Sequence, residues 1–189
     1  VTELTIRMLE QGDVEAYIDH TIVSNAESGR EGDGHSHVYD AAAPYDRDEA
    51  VVRERRRWAA DVTGADWRRA WGLFDGEHLV GHVHLAGGAL PSECHRVNLG
   101  MGIVRSHRRR GGGRRLLEAA VTWARSQAHI DWVDLGVFHD NGPARALYDA
   151  FGFTAVGTTS DRFRVDGVSL DDTAMTIRVA DERRAADSR

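Results

Sequence analysis

Apolar positions along the chain follow two rhythms that alternate with each other. Leu4 to Met8 alternates and predicts a first strand, whereas Val14, Tyr17, Ile18 and Ile22 recur at helical spacing and predict a helix over residues 13–25. Residues 26–46 break both rhythms with Gly, Ser, His and acids, which predicts a long loop. Residues 48–62 read as a helix opening on Asp48 and Glu49, where acids suit the positive end of the helix dipole. Trp67–Phe74 and His78–Leu85, on either side of Asp75-Gly76, predict a hairpin. A strand over Arg96–Val104 follows, then a helix over residues 112–128 with Leu116, Leu117, Ala120, Val121 and Ala124 inward. Next come a strand over Trp132–Val137, a short helix over residues 143–151, and two strands between Thr154 and Val179 joined around Asp166-Gly167. No repeat or low-complexity linker divides this series. Residues 1–180 therefore read as one domain of α/β (α+β) class, a sheet covered by helices, with a polar tail over 181–189.

Composition narrows the function classes. The 189 residues carry 24 basic and 30 acidic side chains, a formal net charge of −6, with 41% apolar residues. That balance fits a protein that buries a real core. No apolar run is long enough for a membrane span, and no basic start followed by an apolar stretch marks a secretory leader. Cys94 is the single cysteine, which excludes an internal disulfide framework and suits a reducing cytoplasm. All 24 basic residues are Arg, so phosphate-loop lysines, Schiff bases and amine nucleophiles of this chain are excluded. Abundant Arg, Ala and Gly with only three Asn suggest a GC-rich bacterial genome.

Two stretches carry chemistry. In the first, Leu99 to Leu117, a strand runs into a loop and three glycines open a helix. Glycines let backbone amides approach a ligand closely, and the amides at a helix start suit a phosphate or pyrophosphate. Six arginines lie between residues 105 and 115 with no acid among them, so an anion is the simplest partner; a solvated basic loop is the alternative. A dinucleotide fingerprint fits poorly, because Gly100 and Gly102 lack a third glycine at the required spacing. In the second stretch, Asn141 to Phe153, Pro143 suits a first helical turn, and Ala144, Leu147, Tyr148 and Phe151 share one face. Gly152 stops that helix. Alone, Tyr148 reads equally as a core aromatic.

Together the stretches resemble the GNAT superfamily of acetyl-coenzyme-A-dependent N-acetyltransferases. Arg108, Gly111 and Gly113 meet its phosphate-loop pattern, and Asn141, Ala144, Leu147, Tyr148, Gly152 and Phe153 meet its second signature, with 27 residues between. The resemblance is close over residues 95–180. It implies a mixed, mostly antiparallel sheet of about six to seven strands flanked by about four helices. It also implies acetyl-CoA as cosubstrate, with Met101, Gly102 and Ile103 pairing with the pantetheine arm like an added strand. Arg108, Arg109, Arg110, Gly111, Gly112, Gly113 and Arg114 would hold the pyrophosphate, with Asn141 and Ala144 toward the pantetheine. Tyr148 would be the general acid for the departing thiolate, in a direct attack of an amine on the thioester.

The chain departs from its relatives at two places. Gly136 and Asn98 stand where relatives often carry a Glu, so neither usual carboxylate base is present. His95, His107 and His139 lie near strand ends that could face a cleft, though ordinary polar roles serve equally. His35 and His37 lack a third ligand at diagnostic spacing, which predicts no metal. In the family the loop between the first two helices commonly walls the acceptor site. Here the stretch from Glu27 to Glu49, which takes in that loop and the start of the second helix, holds seven acids against Arg30 and Arg47. Asp33, His35, His37, Tyr39 and Asp40 are its candidate acceptor residues, and a negative wall would favour a small cationic amine. A protein or peptide acetyltransferase, or a CoA-binding regulatory module, are the alternatives. Net charge −6 and the lack of aromatics in the arginine patch argue against nucleic acid as a partner. A cytoplasmic protein without a membrane partner is expected, and a homodimer is compatible with the sequence.

Overall fold

The computed structural model describes residues 3–180; the predicted polar tail lies outside the described residues. Seven strands and four α-helices follow one another as β1 (Thr5–Met8), α1 (Val14–Ala26), α2 (Arg47–Ala59), β2 (Arg68–Asp75), β3 (His78–Gly87), β4 (Arg96–Ile103), α3 (Gly112–Ser126), β5 (Trp132–Phe138), α4 (Gly142–Phe151), β6 (Thr154–Val165) and β7 (Val168–Arg178). They form one mixed sheet in the order β1-β2-β3-β4-β5-β7-β6. Every neighbouring pair is antiparallel except β4 with β5. The fold class and element order expected from the pattern are those found, with boundaries moved by a few residues.

Alternation along the strands sorts side chains onto two faces. Trp71, Leu73, Val83, Leu85, Val97, Leu99, Val133, Leu135 and Val137 join Leu116, Leu117, Ala120, Val121 and Ala124 of α3 in the main core. Tyr148 and Phe153 close its far end. On the opposite face α1 and α2 supply Val14, Tyr17, Ile18, Ala50, Val51 and Trp58 to a smaller core with Leu9, Ala70 and Phe74. Ile22, which shares the apolar spacing of α1, is exposed instead, while Ser24 turns toward the sheet at Gly102. The turn of the first hairpin also sits one residue later than its Asp75-Gly76 signal. Asp75 pairs with His78, and Gly76, at φ +60°, takes the left-handed first position of a two-residue loop.

The two central parallel strands part. Their ladder joins only Arg96–Asn98 to Trp132–Asp134, yet β4 continues to Ile103 and β5 to Phe138. Beyond Asn98, β4 is held from the β3 side alone, and beyond Asp134, β5 is held by β7. The result is a V open toward the carboxyl ends of both strands.

Candidate active site

The open V defines the site, because it leaves one edge of β4 without a strand partner. Val104 N donates to Val80 O at 3.0 Å, which fixes the phase of the antiparallel β3–β4 ladder. By that alternation Gly100 and Gly102 spend their backbone groups on His84 and His82, while Met101 and Ile103 turn theirs into the V. Of the expected strand-like contacts, Met101 and Ile103 are thus placed to pair with a ligand. Gly102 is not; it keeps the opposite face low. The Ile103 carbonyl already accepts from Arg108 Nε at 2.7 Å.

Past Ile103 the chain bends into the loop that opens α3. Arg109 and Gly111 both adopt positive φ, 59° and 77°, so the loop coils tightly before the helix amides begin. The three glycines divide their work. Gly111 is exposed at a conformation that a side chain would strain, and a β-carbon there would meet nothing. Gly112 and Gly113 are small for packing, since β-carbons would fall 2.6 Å from a Leu73 methyl and 2.9 Å from a Leu147 methyl. The arginines divide as well, and the patch is not the uniform anion trap its sequence suggests. Arg105 binds Asp33 at 2.7 Å and also Glu31; Arg108 binds Asp33 at 2.5 Å and Glu27 at 2.8 Å. Arg114 pairs with Glu118, and Arg115 donates to Leu4 O. Arg109 and Arg110 remain exposed, with no ion pair among the described residues.

Those pairings reveal what the loop over residues 27–46 does. It carries no helix or strand, and it crosses the mouth of the V. At the β4 end, Glu27 accepts from Arg105 N at 2.7 Å, and Asp33 sits between the two guanidinium groups. Although burial works the other way, hydrogen bonds from Arg105 and Arg108 hold the Asp33 carboxyl below its ordinary range. At the β5 end, Gly34 lies against the backbone of Asp140 and Asn141, and His35 Nδ1 is 2.7 Å from Asp140 Oδ2. Asn141 caps α4 by accepting from Ala144 N at 3.2 Å and donates from Nδ2 to His35 O at 3.0 Å. Its observed partners are therefore the helix and the loop. Farther on, His37 Nε2 lies 2.9 Å from Asn25 O, and Tyr39 stacks on His37 while remaining exposed. Asp40 accepts from Asp166 N at 2.5 Å, which ties the loop to the β6–β7 turn. Asp33 and Asp40 are thus structural pins, and Glu27, Glu31 and Asp33 of the expected negative wall are paired with Arg105 and Arg108.

Tyr148 is buried on α4, its ring edge-on to Phe153 at 5.7 Å. Burial pushes its phenol up to about 12, so it holds its proton at neutral pH. On the face toward α1 and α2, three bare positions flank the V: Gly100 and Gly102 on β4, and Gly136 on β5. The space is filled from neighbouring strands. A β-carbon at Gly100 would strike the His84 ring, one at Gly102 would lie 2.6 Å from Ser24 Oγ, and one at Gly136 would lie 2.8 Å from Asp172 Oδ1. His82 and His84 stack at 5.8 Å, His20 meets His82 edge-on at 5.1 Å, and Tyr17 Oη lies 3.1 Å from His84 Nδ1. Behind them the buried Glu54 pairs with Arg68 at 3.0 Å. Burial, with His20 and Arg68 acting on His82 and Arg68 on His84, holds both imidazoles well below their ordinary range. They are neutral.

Sequence reasoning missed this cluster and Asp172, although His82-Val-His84 in a predicted strand already places two imidazoles on one face. The histidines it considered lie elsewhere. The His95 carbonyl binds Asp131 N and Trp132 N at the closed end of the V, and His107 lies 3.2 Å from Asp75 on the first hairpin. His139 Nδ1 accepts from Arg145 at 3.1 Å. No group of three or more His, Cys, Asp or Glu among the described residues could hold a metal ion. No described helix is long and apolar enough to cross a membrane.

Comparison with known proteins accounts for this arrangement. The sequence matches the acetyltransferase (GNAT) family over residues 35–153, more than half of the chain. The chain belongs to the GNAT family. As a GNAT protein it is an acyltransferase that uses acetyl-CoA as its acetyl donor. No curated protein matches the sequence. Among solved structures, the putative acetyltransferase yncA of Salmonella typhimurium, determined with acetyl-CoA, is similar with a TM-score of 0.78 and 18% identity, covering 98% of this chain and 99% of that one. A GNAT-family acetyltransferase of Streptococcus pneumoniae gives 0.73 at 20% identity, over 93% and 99%. The spermidine/spermine N-acetyltransferase SpeG of Vibrio cholerae gives 0.67 at 19% identity, over 99% and 98%. At these identities the similarity establishes the GNAT fold.

Proposed function

We propose that this GNAT protein transfers acetyl to the primary amine of a small, positively charged molecule, by direct attack on the thioester. The observation that supports the reading is the V itself, an unpaired stretch of β4 running straight into a coiled loop and a helix start. Met101 and Ile103 bind the pantetheine amides as an added strand would, and the amides from Arg109 to Arg114 take the pyrophosphate. Arg109 and Arg110 add charge from outside, whereas Arg108 holds the loop in place. Acetyl-CoA supplies the acetyl group as an activated thioester. Tyr148, protonated in its buried position, gives a proton to the departing sulfur.

The acceptor comes from the α1–α2 side, where Gly100, Gly102 and Gly136 carry no side chain of their own and His84, Ser24 and Asp172 stand over them. The loop across the mouth narrows that approach and favours a small molecule, with His35, His37 and Tyr39 along its wall. With Asp33 and Asp40 engaged elsewhere, the preference for a cation rests on the carboxylate of Asp172 at the β5–β7 side of the V. Thiol release measured with spermidine, an aminoglycoside, unmodified amino-terminal peptides and neutral or acidic amines tests the reading. Turnover with the small cations is expected. Turnover with peptides alone favours a protein acetyltransferase, and CoA binding without turnover on any acceptor favours a regulatory module.

A further inference from the structure

The geometry points to Asp172 as the general base, a carboxylate that β7 delivers into the space β5 leaves bare at Gly136. The assignment rests on the acetyl-transfer reading above and deepens it. Gly136 pairs with Ala174, and Asp172 stands two pairs further along, on the same face, opposite Phe138. Its two oxygens lie 2.8 and 3.1 Å from where a Gly136 β-carbon would be. That point is two residues beyond Asp134, the last rung joining β5 to β4, so the carboxylate stands at the edge of the V. The neighbouring acids are committed. Asp134 is bound by Arg96 at 2.6 Å and by Thr176, Asp140 by His35, and Asp171 by the amide of Asp161. Asp172 has no hydrogen bond or ion pair among the described residues.

Its surroundings suit a proton acceptor. From β5 it faces Gly136 and Phe138, which do not titrate, and from β6 it faces Thr159 and the cation of Arg162. The loop brings His35 against Phe138 at 6.5 Å. Burial raises the Asp172 carboxyl above its ordinary range, with Arg162 opposing. In the reaction the acceptor ammonium gives one proton to Asp172, and the neutral nitrogen forms the C–N bond to the acetyl carbon as the C–S bond breaks. The departing sulfur takes a proton from Tyr148. The second nitrogen proton restores Tyr148 through water, and Asp172 releases its own to solvent, so one proton leaves per turnover.

Two measurements on the full chain decide it. Carbon-13 spectra of labelled aspartate, with the Asp172 signal identified by its loss in Asp172→Asn, should show a pKa above the usual carboxylate range. That pKa should rise further when CoA excludes water from the V. A pKa that CoA leaves unmoved would overturn the placement. In thiol release with acetyl-CoA and spermidine as the acceptor probe, Asp172→Asn should lose about 10²- to 10⁴-fold in turnover, at unchanged CoA affinity. Moving the carboxylate to β5 in the double variant Asp172→Ala/Gly136→Asp should recover at least about tenfold over Asp172→Ala. A loss below tenfold in Asp172→Asn, or a folded double variant no faster than Asp172→Ala, would overturn the assignment. If the wild-type chain does not acetylate spermidine, the acceptor reading falls, and the titration alone decides the role of Asp172.

Discussion

At the scale of single residues, the arginines between 105 and 115 show how one side-chain type is divided by position. Arg108 is part of the phosphate-loop signature, yet its three donor groups go to Ile103 O, Asp33 and Glu27. Replacing both Arg109 and Arg110 by Ala should therefore weaken CoA binding about 2- to 30-fold, the worth of two exposed charge contacts. The deficit should shrink as salt is raised, and calorimetry at two ionic strengths checks it. Tyr148 is the complementary case, because burial keeps its phenol protonated. Tyr148→Phe should reduce turnover by about 10²- to 10⁴-fold while sparing CoA affinity. Full turnover in that variant, with chemistry rate-limiting, would return Tyr148 to a purely packing role.

At the scale of elements, the long loop is organised by small backbone fittings. Gly34 rests against the carbonyl of Asp140, where a β-carbon would approach to 2.6 Å, and a backbone atom there has nowhere to move. Gly34→Val should lift the loop from the β5 end. Faster amide exchange at residues 35–36 and a raised KM for the acceptor should follow, with CoA affinity little changed. Asn141→Ala removes both the cap of α4 and the donor to His35 O. A cap of this kind is worth about 0.5–2 kcal/mol, which chemical denaturation resolves. The loop was legible from sequence as a loop and as acidic. Its attachments were not, because each partner lies more than 70 residues away, at Arg105, Arg108, Asp140 and Asp166.

At the scale of the whole molecule, the buried histidines couple folding to pH. Burial lowers the pKa of His20, His82 and His84 in the folded chain, whereas the unfolded chain protonates them near ~6.5. Below that pH the unfolded state binds more protons, so stability is full above it and falls as the medium is acidified. Each group contributes a slope of up to about 1.4 kcal/mol per pH unit until it titrates in the folded state. Thermal unfolding between pH 8 and pH 5 should show the loss. His82→Phe or His84→Phe should flatten it.

The sequence by itself determined the order of elements, their faces and the family. Those properties reside in local periodicity, in turn residues such as Asp166-Gly167, and in two motifs that are each contiguous. It also located the glycine-opened start of α3 and the face of α4 that carries Tyr148, since a helix start and a helix face are set by residues a few positions apart. Tertiary structure alone decided the state of the site. Which arginines remain available, which loop acids are neutralised, and what stands over the vacant position at Gly136 all depend on strands and loops far apart in sequence. The carboxylate missing from β4 and β5 illustrates the limit. Only the β5–β7 register brings Asp172 over Gly136, and a register is fixed by the packing of the whole sheet rather than by any single stretch of chain.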